Sequence, residues 1–346
     1  MTLYAQWLYP VLAKVDAETA HDRTLALLEW GQRAAGRPFL KQIAGSLPQQ
    51  PVTLWGLTFP NVLGMAAGFD KDVRVATGLA VLGFGHVEAG TLTPWPQKGN
   101  PRPRIFRLRE DEALINRMGF PNGGVAAALP RLKKLRQTPH PFVMGVSLGK
   151  QKETELADAA RDYVAVMKAV YPYADYLAVN ISSPNTPGLR ELQGGDYLGN
   201  LLHTLMLENI RFATMYQVAQ RPLLVKIAPD LTDEELDEVV TAVQANQISG
   251  IIATNTTIRR EGLCSPRQAE AGGLSGAPVR QPSTEIIRAI ASKTAGKLPI
   301  IGVGGVRTAE DVQEKLAAGA SLVQLYTALV YEGPQLPGRL LRQLYD

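Results

Sequence analysis

The residues of this chain whose types and spacing can do chemistry are serines, asparagines, threonines and lysines, not histidines or paired carboxylates. In VNISSPNTPG (179–188) an apolar run gives way to Asn180, Ser182, Ser183, Asn185 and Thr186. One such side chain makes a turn, whereas this many make a surface that grips something small and polar. Ser183 is the candidate nucleophile or base. No Gly-x-Ser-x-Gly elbow surrounds it and no histidine lies near, which argues against Ser-His-Asp hydrolysis. Lys71 follows AAGFD, and Lys226 sits in VKIAPD among apolar neighbours. Each can serve as a fixed positive charge or a Schiff-base nucleophile, and the spacing leaves both open. Asn116, Asn180, Asn185 and Asn255 each offer a donor and an acceptor, which suits a planar heterocycle with alternating C=O and N–H groups.

These residues share a position. Short apolar runs near 62–66, 84–89, 142–147, 176–180, 223–227, 250–253, 300–303 and 322–325 read as strands. Helical patterns follow at about 72–82, 123–136, 153–170, 197–217, 232–246, 282–294, 308–318 and 335–344. Eight strand and helix pairs predict a closed (β/α)8 barrel, whose chemistry gathers where the strands end. Lys, Asn, Ser, Thr and Gly recur at those ends, so the expected site works by hydrogen bonding and electrostatics, without a metal. IGVGGVRTAEDV leads the seventh strand into adjacent glycines and then a helix, the usual setting for a phosphate on bare backbone amides. The third glycine of a dinucleotide fingerprint is missing there and in GFGHVE, so direct use of NAD is not expected. Two insertions, 91–122 and 255–281, exceed ordinary loop lengths, and the first reads as a hairpin over the barrel mouth.

Composition narrows the rest. With 45% hydrophobic and 20% charged residues, the 346-residue chain has the makeup of an ordered globular protein. Its 36 basic and 32 acidic residues are interspersed, with no basic run of the kind that binds nucleic acid. The single Cys264 rules out an internal disulfide, and His21, His86, His140 and His203 lie too far apart for a local ligand pair. No signal peptide or spanning segment is read, and the chain is expected inside the cell.

Taken together, AAGFDKD, GFGHVEAGTLTPWPQKGNPRPRIFRL, INRMGF, NISSPNTPGLR, VKIAPD, IATNTT, GGLSG, IIGVGG and GASLVQLYTAL resemble, in family order, class 2 dihydroorotate dehydrogenase, the membrane-associated, quinone-linked enzyme of pyrimidine synthesis. The likeness runs from about residue 50 to 330. It implies FMN in the barrel mouth, with the phosphate on amides around Gly276, Gly305, Tyr326 and Thr327. Flavin contacts are implied at Ala67, Gly68, Lys71, Thr91, Ser147, Asn180, Lys226 and Thr254. It assigns dihydroorotate to Lys71, Asn116, Arg117, Met118, Gly119, Phe120, Asn180, Asn185, Asn255 and Thr256. By the same resemblance Lys226 is a fixed cation beside the flavin and Ser183 is the base. A water near Thr186 and Phe120 would accept the proton. Class 1 relatives use a cysteine where this chain has Ser183, which separates the classes. Ser147 departs from the family's usual asparagine.

The N-terminal segment supports the same class. In LYAQWLYPVLAKV, Leu3, Trp7, Leu8, Val11, Leu12 and Val15 fall largely on one helical face, and AETAHDRTLALLEW carries a second apolar stripe. Such helices commonly just pack on a core. The resemblance makes residues 1–48 a peripheral membrane and quinone-access segment, with His21, Arg107 and Tyr326 lining a quinone tunnel, and residues 49–346 the FMN-binding barrel. A monomer on the cytoplasmic face of a bacterial inner membrane is expected. The rival readings are a Schiff-base aldolase using Lys226 and a catalytically silent FMN-binding scaffold.

Overall fold

A computed structural model describes residues 4–346 of the chain, so Leu3 lies outside the described residues. A π-helical turn, Tyr4–Leu8, runs into α1 (Tyr9–Leu12), followed by α2 (Ala17–Gly31) and α3 (Arg37–Ala44). A short hairpin of β1 (Val52–Leu54) and β2 (Leu57–Phe59) leads into β3 (Leu63–Met65), α4 (Ala76–Val81) and β4 (His86–Leu92). The first insertion holds β5 (Ile105–Leu108) and β6 (Ala113–Asn116). The chain continues through α5 (Gly124–Leu135), β7 (Val143–Leu148), α6 (Ala159–Val170), β8 (Tyr176–Asn180), α7 (Gly195–Tyr216), β9 (Leu223–Ile227), α8 (Asp233–Ala245) and β10 (Gly250–Ala253). After the second insertion, with β11 (Gly273–Gly276), come α9 (Arg280–Lys293), β12 (Ile300–Val303), α10 (Ala309–Ala317), β13 (Leu322–Leu325), α11 (Thr327–Glu332) and α12 (Leu336–Tyr345).

Eight parallel strands, β3, β4, β7, β8, β9, β10, β12 and β13, close the expected barrel in that cyclic order. Both faces of each strand are covered, which is why they read as near-continuous apolar runs. Period-two alternation turns one set inward. Phe59, Val143, Tyr176, Ala178, Leu224, Ile252, Ile301 and Leu322 pack there as a separate buried cluster. The β1–β2 hairpin, which the sequence reading lacked, supplies Phe59 to this cluster, and Trp55 Nε1 donates to Ser249 O at 2.8 Å. His86 is fully buried against Phe59, and burial lowers its pKa to about 3, so the ring is neutral.

Helix starts follow side-chain caps. Thr232 with Glu235 and Thr308 with Asp311 form capping boxes that begin α8 and α10. The helix expected from residue 72 starts at Ala76 because buried Asp70 accepts from Arg74 N (2.7 Å) and Val75 N (2.8 Å), tying residues 70–75 into a turn. The one expected from 153 starts at Ala159: Asp162 accepts from Gln151 N (2.9 Å) and the Thr154 hydroxyl (2.6 Å), holding a loop.

The predicted hairpin over the mouth is β5–β6. The second insertion adds β11 to its edge, making a three-stranded antiparallel sheet from both insertions. The N-terminal helices dock beside it. Arg104 grips Glu18 of α2 through Nε (3.0 Å) and Nη2 (2.6 Å), both side chains being buried, and Arg74 pairs with Glu29 at 2.8 Å.

Candidate active site

On several strands the inward row is apolar at the barrel base and ends in polar groups at the mouth. On β8 the row runs Tyr176, Ala178, Asn180, and on β9 Leu224, Lys226. Asn180 and Lys226 stand side by side in register. They line one cavity together with Ala67, Gly68, Lys71, Thr91, Asn116, Met118, Gly119, Phe120, Ser183, Asn185, Thr254, Asn255, Thr256, Gly276, Gly305, Tyr326 and Thr327. Seven of the eight strand ends and both insertions therefore converge on a single space.

Hydrogen bonds fix its walls. Asn180 Nδ2 donates to Thr91 Oγ1 at 2.8 Å, and Thr91 exchanges a 2.9 Å bond with Ser147. Asn255 Nδ2 donates to Ser182 Oγ (3.0 Å) and Asn180 Oδ1 (3.3 Å), while Thr256 N donates to Asn255 Oδ1 at 2.8 Å. Asn185 Nδ2 donates to Asn116 Oδ1 at 3.1 Å, joining the serine loop to the mouth sheet. Ser183 Oγ accepts only weakly from Asn185 N, at 3.3 Å. The hydroxyls of Thr186 and Thr256 are buried with no hydrogen-bond partner, and Thr256, which lines the cavity, is available to something polar in it.

One wall is a backbone cradle. Gly276, Gly304 and Gly305 have φ values of 101°, 132° and 69°. A Cβ on Gly305 would come within 2.6 Å of Arg280 Cα, and one on Gly276 within 2.7 Å of Ala113 Cα. Only glycine fits, and the exposed amides can receive an anion.

The cations differ. Lys71 donates to Gly68 O at 2.8 Å; burial lowers its pKa to about 8, and Glu18, Asp72 and Asp22 pull it part of the way back. Lys226 is buried with Nζ 3.6 Å from Glu88 Oε1.

Three expected residues stand outside this cavity. Arg117 turns away from it, pairing with Glu270 at 2.6 Å and lying over the Phe106 ring. Ser147 is fully buried behind Thr91, and Thr186 is buried without lining the cavity. The expected tunnel residues divide among neighbouring spaces: Tyr326 lines the main cavity, His21 a cleft shared with Lys71 and Met118, and Arg107 a third, where it donates to Val15 O at 2.8 Å. Edge-on ring contacts link the first two, His21 to Phe69 at 5.2 Å and Phe69 to Tyr326 at 5.8 Å. Burial, with Lys71 and Arg74, lowers His21 to about 3, so it is neutral there.

Sequence reasoning missed Ser182, which orients Asn255, and Arg190. Arg190 donates to Ser182 O (3.3 Å), Asp230 (2.8 Å) and Thr256 O (2.9 Å), tying three strand-end loops together. It also missed Glu88; its only signal is one acid inside an apolar strand, GHVEAG.

The chain matches the family model described as dihydroorotate dehydrogenase over residues 50–346. A protein of Chromobacterium violaceum named dihydroorotate dehydrogenase (quinone) is 51% identical over 336 residues, covering 97% of this chain and 96% of its own. One of the same name from Thermus thermophilus is 48% identical, covering 95% and 93%. The crystal structure of the Eimeria tenella enzyme in complex with ferulenol superposes with a TM-score of 0.86 at 37% identity, over 96% of this chain and 93% of that one. The chain belongs to the dihydroorotate dehydrogenase family, in its quinone-dependent class.

Proposed function

We propose that the protein oxidises (S)-dihydroorotate to orotate, with FMN in the barrel mouth and a membrane quinone as final electron acceptor, in the synthesis of UMP. The observation that carries this is the convergence of Ser183, Lys71, Lys226 and four asparagines on a cavity walled on one side by glycine amides.

The residues present fit FMN. The cradle of Gly276, Gly304 and Gly305, beside Tyr326 and Thr327, suits a phosphate; Ala67, Gly68, Lys71, Thr91, Asn180 and Thr254 suit the rest, with Ser147 acting through Thr91. When bound, FMN supplies a two-electron acceptor. Lys226 provides positive charge where negative charge would develop, in a water-poor setting that strengthens it. Lys71 holds the substrate carboxylate. Asn116, Asn180, Asn185, Asn255 and Thr256 fix the ring, with Met118, Gly119 and Phe120 closing over it, and Arg117 supports that loop from its pair with Glu270. Ser183 takes the proton from substrate C5 and hands it to a water near Phe120 and Thr186, whose hydroxyl is unpaired.

The N-terminal segment, residues 1–48, is read as a peripheral membrane patch on the cytoplasmic face of a bacterial inner membrane. Trp7, Leu8, Val11, Leu27, Trp30 and Phe39 are all exposed on it, which supports an interfacial role. Among the described residues no helix is long and apolar enough to cross a membrane. His21, Arg107 and Tyr326 are read as quinone-side residues, and the chain as a monomer.

The test is anaerobic. The purified yellow protein should bleach with dihydroorotate and recolour with a soluble quinone. A yellow protein that fails to bleach would refute the activity, and a colourless one trapped by borohydride with its substrate would favour the aldolase.

A further inference from the structure

The fully buried Glu88 has no part in the chemistry described above. Its Oε2 accepts from the Tyr176 hydroxyl and from Gln324 Nε2, both at 3.1 Å. Its Oε1 is buried, makes no hydrogen bond, and is the oxygen 3.6 Å from Lys226 Nζ. Lys226 lines the mouth cavity, whereas Glu88, Tyr176 and Gln324 do not: the carboxylate lies one layer deeper. The sequence builds this layer. Glu88, Gly145 and Tyr176 are register partners on β4, β7 and β8, and a Cβ on Gly145 would overlap the Tyr176 ring, so only glycine lets the phenol reach across to Glu88.

A buried carboxylate with two neutral donors is poorly compensated unless a cation stands nearby, and a buried ammonium tends to lose its proton without an anion. Among the described residues, Glu88 and Lys226 have no other ion-pair partner. We propose that Glu88 is a positioning residue, the counter-ion that holds the Lys226 ammonium aimed at the mouth, and so sets the reduction potential of the flavin above it. This rests on the reading of Lys226 as the flavin-side cation.

The groups around the pair are few. Glu88 comes from β4; Tyr176 comes from β8, and burial and Glu88 hold its hydroxyl well above the ordinary value. Gln324 from β13, Asn180 from β8 and Ile252 from β10 carry no charge. In Glu88→Gln, Lys226 loses its counter-ion, and its uncompensated positive charge favours the reduced flavin.

The experiment is spectroelectrochemical titration of FMN-bound wild type, Glu88→Gln, Lys226→Met and the double variant. The expected result is a reduction potential higher in Glu88→Gln than in wild type, with no such rise when Lys226 is already Met. An equal or lower potential in Glu88→Gln, or the same rise in the Lys226→Met background, would overturn the inference. An unmoved potential in Lys226→Met would instead overturn the reading of Lys226 itself. Should Glu88→Gln fail to fold, the double variant decides: recovery of folding supports a stranded lysine charge, and continued failure means that Glu88 serves only its own packing.

Discussion

Lys71 gives a prediction whose size follows from its surroundings. A carboxylate bound against its ammonium needs the proton in place, and Lys71 titrates at about 8 because the site is desolvated. The sign is fixed: affinity for a carboxylate is complete below that pKa and is lost as pH rises through it. Orotate, the product, is the cleaner probe because its binding involves no proton abstraction by Ser183. Its dissociation constant, read from the flavin absorbance change, should be flat to about pH 7. By about pH 9 it should have risen roughly tenfold, climbing toward a further factor of ten per pH unit as the linkage relation requires. Two other groups in the neighbourhood stay silent across this range, since His21 lies at about 3 and Tyr326 is pushed up to about 12. Lys71→Met removes a charge-assisted hydrogen bond of about 1.5–3 kcal/mol, weakening orotate roughly 10- to 150-fold at neutral pH and abolishing the rise. A wild-type dissociation constant that stays flat to pH 9.5, or a rise that survives in Lys71→Met, would refute the assignment of Lys71 to the carboxylate.

Three other outcomes are expected. Ser183→Ala should slow anaerobic flavin reduction by dihydroorotate by about 10²- to 10⁴-fold while FMN stays bound, as loss of a general base requires; reduction at the wild-type rate in stopped flow would remove Ser183 from that role. Arg190→Met frees Ser182, Asp230 and Thr256 from one guanidinium and should lower the same rate roughly 10²-fold through misplacement of the serine loop, leaving reoxidation by quinone unchanged; equal losses in both half-reactions would point to general unfolding instead. Burial alone would raise the Glu18 carboxyl, but its bonds to Arg104 and Arg102 hold it below the usual range, so the stability it contributes is present at neutral pH and lost as pH falls through its folded pKa. Glu18→Gln strands buried Arg104 and should destabilise the fold by about 3–5 kcal/mol, measured by denaturant unfolding at pH 7, with the deficit shrinking toward acid pH.

The barrel was legible because each parallel strand, covered on both faces, leaves an uninterrupted apolar run, and five of the eight, β8, β9, β10, β12 and β13, begin and end where the sequence placed them. Helix starts were less so. Asp70 and Asp162 use their carboxylates on loop groups before the helix begins, a competition that apolar periodicity does not register. The helix α11 was hidden because TALVYE continues the apolar run of β13 without a break. The hairpin β1–β2 was too short for its alternation to stand out. Most site residues were legible because polar side chains at strand ends interrupt apolar runs. Arg190 was not: it sits in a short 3₁₀ turn, and its importance lies in two partners far away in sequence, Asp230 and Thr256, which it joins to Ser182.

Glu88 shows why one charge escapes such a reading and yet decides how another behaves. A lone acid in a strand reads as one residue facing solvent, but the inward row of β4 runs His86, Glu88, Gly90, and the barrel interior offers it no water. Down the axis the chemistry is ordered: neutral His86 against Phe59 at the base, then Glu88 with Tyr176 and Gln324, then Lys226 beside Asn180, and finally the mouth. A cation placed at the third level without an anion at the second would be left uncompensated in the low-dielectric interior. An anion at the second level without the cation would be stranded. The two positions are coupled, so an engineered change of flavin potential at Lys226 has to take Glu88 into account as well.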